Sequence, residues 1–238
     1  MGAAPVERVK RSPARAWLAL SRVSNLPTVW TNVLAGMALS GAIHWALFVV
    51  VAAAVSLLYI GGMFLNDAFD HRVDAVQRPE RPIPAGELSV GVVFTAGFAL
   101  LAAGVIVVAA GAPRAASWAA LLAGCITLYN WRHKANPVAP IVMGACRALV
   151  YVVAASAAGI VSGALILWAA IGGAYVIALT LVAKHGDHSW GSAVGWLIAG
   201  ISIVDAVAIT STAQYPIAII AAAGFPATIA AQRWVRGT

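Results

Sequence analysis

Charged residues are scarce in this chain. They make up 10% of its 238 residues, whereas a soluble domain usually carries about a quarter. Hydrophobic residues reach 62%, which is more apolar surface than a soluble fold of this size can hide, so a lipid bilayer must act as solvent for most of the chain. Cysteine is scarce too. Cys125 and Cys146 both lie in apolar stretches, which excludes a disulfide framework and a cysteine-based metal site.

Acidic residues are rarer than basic ones, and the formal net charge of +7 raises the question of nucleic acid binding. Many of the basic residues, however, gather in a polar arm over residues 1–22. An uncharged run then extends from residue 23 to residue 65, far longer than the roughly 7–15 residues of a signal-peptide core. We therefore expect an uncleaved membrane protein whose cytoplasmic arm carries Arg8, Lys10, Arg11, Arg15 and Arg22.

The apolar segments predict an all-α fold, a polytopic transmembrane helical bundle. A helix needs about 20 apolar residues to cross the hydrocarbon core of a bilayer. By this measure the chain has about eight spans, with nine as the alternative. We expect residues 23–238 to form a single domain with spans at 26–44, 46–65, 89–110, 115–131, 137–158, 163–183, 191–210 and 213–233.

The placement of Lys and Arg supports this division. With the N-terminus inside the cell, all of them except Arg114 and Arg147 fall on inner segments, as the positive-inside rule requires. Both termini are then cytoplasmic, and the net positive charge is explained without nucleic acid as a partner. The polar segment 66–88 becomes the longest inner loop, so chemistry is expected there.

Four oxygen-bearing side chains follow the second predicted span. On a helix with about 100° per residue, Asn66, Asp67, Asp70 and Asp74 fall within an arc of about a quarter turn, and Phe69 points away. Like charges at this spacing repel each other, and ionisable groups at membrane depth are costly. A bound divalent cation offsets both costs. Mg²⁺ prefers hard oxygen ligands and is typically held by one or two carboxylates together with substrate phosphates.

The stiff, proline-rich loop that comes next carries two arginines, Arg78 and Arg81. The planar guanidinium group matches phosphate oxygens. The alternative interpretation is that these are ordinary inner-loop arginines on a turn. Together with the carboxylates, the loop predicts a magnesium-bridged phosphate or diphosphate site.

The segment 66–86, NDAFDHRVDAVQRPERPIPAG, resembles the first aspartate-rich motif of the UbiA superfamily of intramembrane prenyltransferases. Residues 21–27 resemble the entry to the first helix of that family, and residues 129–134 resemble its middle cytoplasmic loop. Within the family, residues 143–147 and 236–238 are most similar to the UbiA-like proteins of Ebo gene clusters.

The resemblance implies a helical bundle around a large central cavity with a cytoplasmic cap. It implies Mg²⁺ as cofactor and an allylic polyprenyl diphosphate as donor, whose chain passes to an acceptor that the sequence does not identify. Asn66, Asp67, Asp70 and Asp74 are the expected metal ligands, and Asp187 is a candidate for a second metal site. Lys134, Arg78 and Arg81 are expected to contact the diphosphate, and Arg22 and Asn25 to line its cavity.

The chain departs from the family at its second aspartate-rich motif. Where a DxxxD pattern is usual, residues 184–190 read KHGDHSW, so Asp187 stands alone. The alternative function is therefore a UbiA-fold protein that binds an isoprenoid diphosphate, as a carrier or in transport or assembly, without transferring it.

Arg147 lies near the middle of its predicted span and should pair with another group inside the protein. Asp205 is one possible partner. Its predicted depth, close to the outer face of the membrane, argues against this pairing.

Overall fold

The computed structural model of the chain describes residues 11–41, 43–132, 136–185 and 191–235. Regular secondary structure in these ranges is helical throughout, which confirms the predicted fold class. Short 3₁₀ turns at Val23–Asn25 and Pro113–Ala115 join longer helices. The helices are α1 (Pro13–Ser21), α2 (Leu26–Leu39), α3 (Trp45–Gln77), α4 (Val90–Gly111), α5 (Ala116–Arg132), α6 (Ala139–Ala158), α7 (Gly163–His185), α8 (Gly191–Thr210), α9 (Tyr215–Ala222) and α10 (Gly224–Gln232).

Six helical segments in the described ranges are long and apolar enough to cross a membrane. They are α3, α4, α6, α7, most of α8, and the pair α9 and α10 taken together. The other two predicted spans form shorter helices, α2 with 14 residues and α5 with 17. The protein is thus a multi-pass integral membrane protein, while the total of eight spans stays a prediction.

The long helix α3 corrects a predicted boundary. We expected a span over 46–65 followed by a loop, but the helix continues to Gln77 and includes all four oxygen-bearing side chains of the motif. The apolar pattern ends at Leu65 because polar residues that follow, among them Asn66, Asp70 and Gln77, line the cavity. The change in composition marks a change of surroundings and not the end of the helix.

Small residues let the helices approach closely. A Cβ atom added to Gly61 of α3 would lie 2.8 Å from the carbonyl oxygen of Gly97 in α4. Between α6 and α7, a Cβ on Gly144 would lie 2.7 Å from the carbonyl oxygen of Gly173. Interfaces of this type are common between transmembrane helices, where no hydrophobic effect drives association and close packing must supply the attraction.

Helix α2 packs against both α6 and α8, so it lies in the interior of the bundle. Its polar residues are buried, among them Thr31 and the fully inaccessible Asn32. Large apolar side chains such as Val49, Ile106 and Ile166 are instead exposed on the outside. The apolar exterior is suited to contact with lipid, and the buried polar residues indicate a polar interior in the bundle.

Candidate active site

A cavity of about 1750 Å³ opens among α1, α2, α3, α5, α6, α7 and α8. One part of its wall is polar and charged, formed by the ends of helices and by the loop after α3. The other part is mostly apolar, and its lining includes Val55, Leu58, Leu122, Ile126, Val176 and Ile201. We call the space bounded by these apolar residues the apolar chamber. The cavity therefore combines a charged region with an apolar chamber, as an amphiphilic ligand requires.

The acidic residues of the motif form one side of the charged region. Asn66, Asp67, Asp70 and Asp74 all line the cavity, so α3 brings the four predicted side chains to one wall. The three aspartates are only 5%, 8% and 3% exposed. Phe69 lies away from them and packs edge-on against Phe94 of α4, with ring centroids 4.9 Å apart.

Two arginines neutralise part of this acidic wall. The Nη2 atom of Arg22 lies 2.9 Å from Oδ1 of Asp67. The Nη1 atom of Arg81 lies 3.1 Å from the same oxygen and 2.7 Å from Oδ2 of Asp74. Asp67 is thus the point where both guanidinium groups meet. We call Arg22, Arg81 and the three aspartates Asp67, Asp70 and Asp74 the mouth cluster.

The loop after α3 folds back to place Arg81. Backbone bonds from Ala85 N–H to the Arg81 carbonyl, at 2.9 Å, and from Glu87 N–H to the Pro82 carbonyl, also at 2.9 Å, close its turns. Gly86 takes a φ of 69°, in the left-handed region that glycine occupies at little cost. Ile83 packs into a small apolar cluster with residues of α1, α3 and α4. Arg78 lines the cavity from the start of this loop.

Arg22 and Asn25 both line the cavity, as expected. Arg22 adopts a left-handed backbone conformation, with φ 46°, that turns the chain from α1 into the buried 3₁₀ segment. The side-chain amide of Asn25 donates to the hydroxyl of Tyr59 at 3.2 Å and accepts from Gln232 at 3.1 Å. Asn25 therefore ties α3 and α10 to the cavity wall, while contact with a diphosphate stays a prediction.

Sequence reasoning did not assign a role to Asn130 or Tyr129. The amide of Asn66 donates to Asn130 Oδ1 at 3.2 Å, and Asn130 in turn donates to the carbonyl of Gly62 at 3.1 Å. Tyr129 lines the cavity. Both residues belong to the segment 129–134, which resembles the middle cytoplasmic loop of the UbiA superfamily. This resemblance was the sequence signal that could have identified them as site residues.

Two predicted site residues, Lys134 and Asp187, lie outside the described residues. Lys184, at the end of α7, lines the cavity. Whether Lys134 contacts diphosphate and whether Asp187 binds a second metal stay predictions.

The described part of the chain contains no group of three His, Cys, Asp or Glu side chains close enough to hold a metal ion by themselves. The residues nevertheless fit Mg²⁺, which keeps several waters and needs only one or two carboxylates beside substrate phosphates. The three carboxylates of the mouth cluster lie on one wall of the cavity, where Arg81 bridges Asp67 and Asp74 and Arg22 contacts Asp67.

A second buried ionic cluster corrects an expectation. Arg147 and Asp205, which were expected to lie at different depths, form an ion pair with Nη2 and Oδ2 2.8 Å apart. Asp205 also accepts hydrogen bonds from Tyr151, at 2.6 Å, and from Thr31, at 2.6 Å. We call these four residues the deep cluster. It joins α2, α6 and α8.

The model of the UbiA prenyltransferase family matches residues 25–236 of this chain. The chain belongs to the UbiA prenyltransferase family. The match includes the deep cluster, all of the mouth cluster except Arg22, and the cavity wall from Asn25 onward, so the UbiA assignment covers most of the candidate site and not only the motif.

Relatives of known name within this family include digeranylgeranylglyceryl phosphate synthases of archaea. That of Ignicoccus hospitalis is 37% identical over 116 residues, which are 49% of this chain and 38% of the relative. That of Methanothrix thermoacetophila is 36% identical over 124 residues, 51% of this chain and 46% of the relative. The chain thus matches less than half the length of these relatives.

Solved UbiA structures share the fold. A UbiA homologue from Archaeoglobus fulgidus superposes with a TM-score of 0.63 at 16% sequence identity, covering 91% of this chain and 98% of the homologue. A structure of a homologue from the same organism bound to GPP and Mg²⁺ gives a TM-score of 0.60, also at 16% identity, and covers 89% of this chain and 99% of that protein. At this identity the comparison concerns the fold.

Proposed function

We propose that this protein is a Mg²⁺-dependent intramembrane prenyltransferase that moves an isoprenoid chain from an allylic diphosphate to an acceptor. The observation that carries the proposal is the joining of the mouth cluster to an apolar chamber in one cavity. The carboxylates and arginines suit a metal-bound diphosphate, and the chamber suits the hydrocarbon chain attached to it.

The residues have separate parts in this proposal. Asn66, Asp67, Asp70 and Asp74 hold the metal ion, which neutralises charge on the departing diphosphate when it is bound. Arg22 and Arg81 already lie against Asp67 and offer guanidinium forks to phosphate oxygens. Arg78 lines the cavity and adds positive charge there, and Lys134, which lies outside the described residues, remains a predicted contact of the diphosphate.

The transfer itself follows from the chemistry of an allylic donor. The bond between the first carbon of the isoprenoid chain and the diphosphate oxygen breaks, and the electron pair of that bond leaves with the diphosphate. The allylic cation is then captured by a nucleophilic atom of the acceptor, which gives up a proton. The apolar wall around Leu58 and Ile126 excludes water, which would otherwise capture the cation.

Two comparisons support the donor and the cofactor. A protein of the same fold has been solved with GPP and Mg²⁺, and relatives with sequence similarity are named as digeranylgeranylglyceryl phosphate synthases. The distribution of Lys and Arg supports a site that opens to the cytoplasm, with both termini on that side.

The test compares Asp70→Ala with Arg72→Ala in the full-length protein reconstituted in liposomes. Asp70 faces the cavity, whereas Arg72 is exposed and lies on the same helix outside the cavity lining. Release of diphosphate from geranyl diphosphate is measured with Mg²⁺ and a panel of phenolic, naphthol and glyceryl phosphate acceptors. We expect Asp70→Ala to lose more than about 100-fold in rate and Arg72→Ala to stay near wild type.

Normal turnover by Asp70→Ala would refute the assignment of the site. A wild-type protein that binds geranyl diphosphate with Mg²⁺ but releases no diphosphate with any acceptor would instead favour the non-transferring isoprenoid-diphosphate carrier.

A further inference from the structure

The apolar chamber contains a charged side chain that the transfer chemistry does not use. Arg147 lines the cavity among apolar neighbours such as Val150 and Val29. Its side chain is 10% exposed. A guanidinium group beside a developing allylic cation gives no benefit to the reaction, so its presence needs another explanation.

The contacts of Arg147 leave part of its guanidinium group available. Nη2 donates both to the carbonyl of Thr28, at 2.8 Å, and to Asp205 Oδ2, at 2.8 Å. The Nε atom is buried and has no partner. Nη1 makes no hydrogen bond or ion pair with any described residue, and the small exposed part of the side chain opens on the cavity. Protein atoms therefore hold the guanidinium group through Nη2, whereas Nη1 can donate a hydrogen bond to a ligand in the cavity.

The negative charge of Asp205, the ion-pair partner of Arg147, determines which ligand group can bind the guanidinium group. Asp205 is 1% exposed and is held in place by Tyr151, Thr31 and Arg147 itself. Because the pair is already neutral, a further anion in the chamber would leave uncompensated negative charge at low dielectric, which is costly. A neutral oxygen, such as a hydroxyl or carbonyl group, accepts a hydrogen bond from Nη1 without that cost.

We propose that Arg147 binds the acceptor through a neutral hydrogen-bond-accepting oxygen on an otherwise apolar body. This inference deepens the proposed function and rests on it, because it concerns the acceptor of the same cavity. Asp205 is the positioning residue that fixes the direction of the guanidinium group, and Thr31 and Arg147 still hold its carboxylate when the Tyr151 hydroxyl is removed.

The competing explanation is that Arg147 only fastens α6 to α2 and α8. Tyr151 provides the matched control, since its hydroxyl contacts the same carboxylate at 2.6 Å but its side chain is fully buried and does not line the cavity. A fastening role predicts similar behaviour for changes at Tyr151 and Arg147. A binding role predicts an effect on ligands only at Arg147.

The experiment measures binding of tritiated 1-naphthol to the full-length protein in nanodiscs, with naphthalene and 1-naphthoate as competitors. The three probes share one apolar body and differ in carrying a neutral oxygen, no polar group, or an anion. We expect 1-naphthol to bind about tenfold or more tightly than naphthalene, and more tightly than 1-naphthoate. This measurement needs only the unaltered protein.

The variants are Arg147→Gln/Asp205→Asn, which removes both charges together, and Tyr151→Phe, each checked for folding by thermal unfolding. The double variant should bind 1-naphthol and naphthalene within about twofold of each other, and Tyr151→Phe should keep the wild-type preference. The inference is overturned if the preference survives in the double variant, disappears equally in Tyr151→Phe, or favours 1-naphthoate in the wild type. Diphosphate release from geranyl diphosphate, measured in parallel, reports on the proposed function independently.

Discussion

The two ionic clusters of this protein differ in the number of their carboxylates and in their position in the bundle. In the mouth cluster, three carboxylates face the two arginines Arg22 and Arg81 among the described side chains. In the deep cluster, one arginine meets one carboxylate, and hydroxyl groups complete the shell of Asp205. Three carboxylates grouped on one wall of an open cavity favour a hydrated cation as ligand, whereas an ion pair inside the bundle favours stability and hydrogen bonding. The same residue types therefore serve different purposes according to their number and their position.

The largest expected effect on stability comes from removing one partner of the ion pair in the deep cluster. Asp205→Ala leaves the Arg147 guanidinium buried without its counter-charge, so we expect the free energy of unfolding to fall by about 3–5 kcal/mol. Chemical unfolding in detergent, followed by circular dichroism, measures this loss. Arg147→Gln/Asp205→Asn should lose much less, because no unpaired charge remains. Equal losses in the two variants would contradict the ionic explanation.

The mouth cluster should respond in ligand affinity more than in stability. Arg81→Gln removes the group that bridges Asp67 and Asp74 and that we expect to contact diphosphate. The affinity for pyrophosphate with Mg²⁺ should fall by about 10–100-fold, while Arg22 still neutralises Asp67. Isothermal titration calorimetry provides the measurement. Arg114→Gln, at an exposed position where α5 begins, is the control and should keep wild-type affinity.

The smallest expected effect is on the free energy of unfolding, and it comes from a glycine substitution in the loop that carries Arg81. Gly86 has φ 69° and open space where a Cβ would go, so Gly86→Ala costs only backbone strain, about 1–2 kcal/mol. Gly91, in the first turn of α4, also faces open space but has no left-handed backbone. Gly91→Ala should therefore be neutral or slightly stabilising. Thermal unfolding of the two variants tests the comparison, and equal midpoints would show that the loop conformation is not strained by alanine.

The sequence predicted the acidic side of the mouth cluster because its pattern is local. Asn66, Asp67, Asp70 and Asp74 lie on consecutive turns of one helix, and helical periodicity alone brings them to one face. The pairing of Arg22 with Asp67 was not predicted. It joins the turn after α1 to α3 across 45 positions, and composition does not encode such a contact.

The predicted depth of Asp205 argued against its pairing with Arg147, and this expectation was wrong for a geometric reason. Sequence position within a span gives the depth of a residue only if all helices begin at the same level. Asp205 is 14 residues beyond the start of α8 at Gly191, yet it bonds Thr31, only 5 residues beyond the start of α2 at Leu26. At about 1.5 Å per residue, α2 therefore begins roughly 14 Å deeper in the bundle than α8.

The most direct test of the metal-bound diphosphate site is Mn²⁺ binding, followed by electron paramagnetic resonance of the full-length protein in nanodiscs. We expect Mn²⁺ to bind tightly when geranyl diphosphate is present, and we expect Asp70→Ala to abolish this binding while Arg72→Ala does not. Mn²⁺ binding that is equally tight in wild type and Asp70→Ala, or that is indifferent to geranyl diphosphate, would contradict the assignment of the mouth cluster.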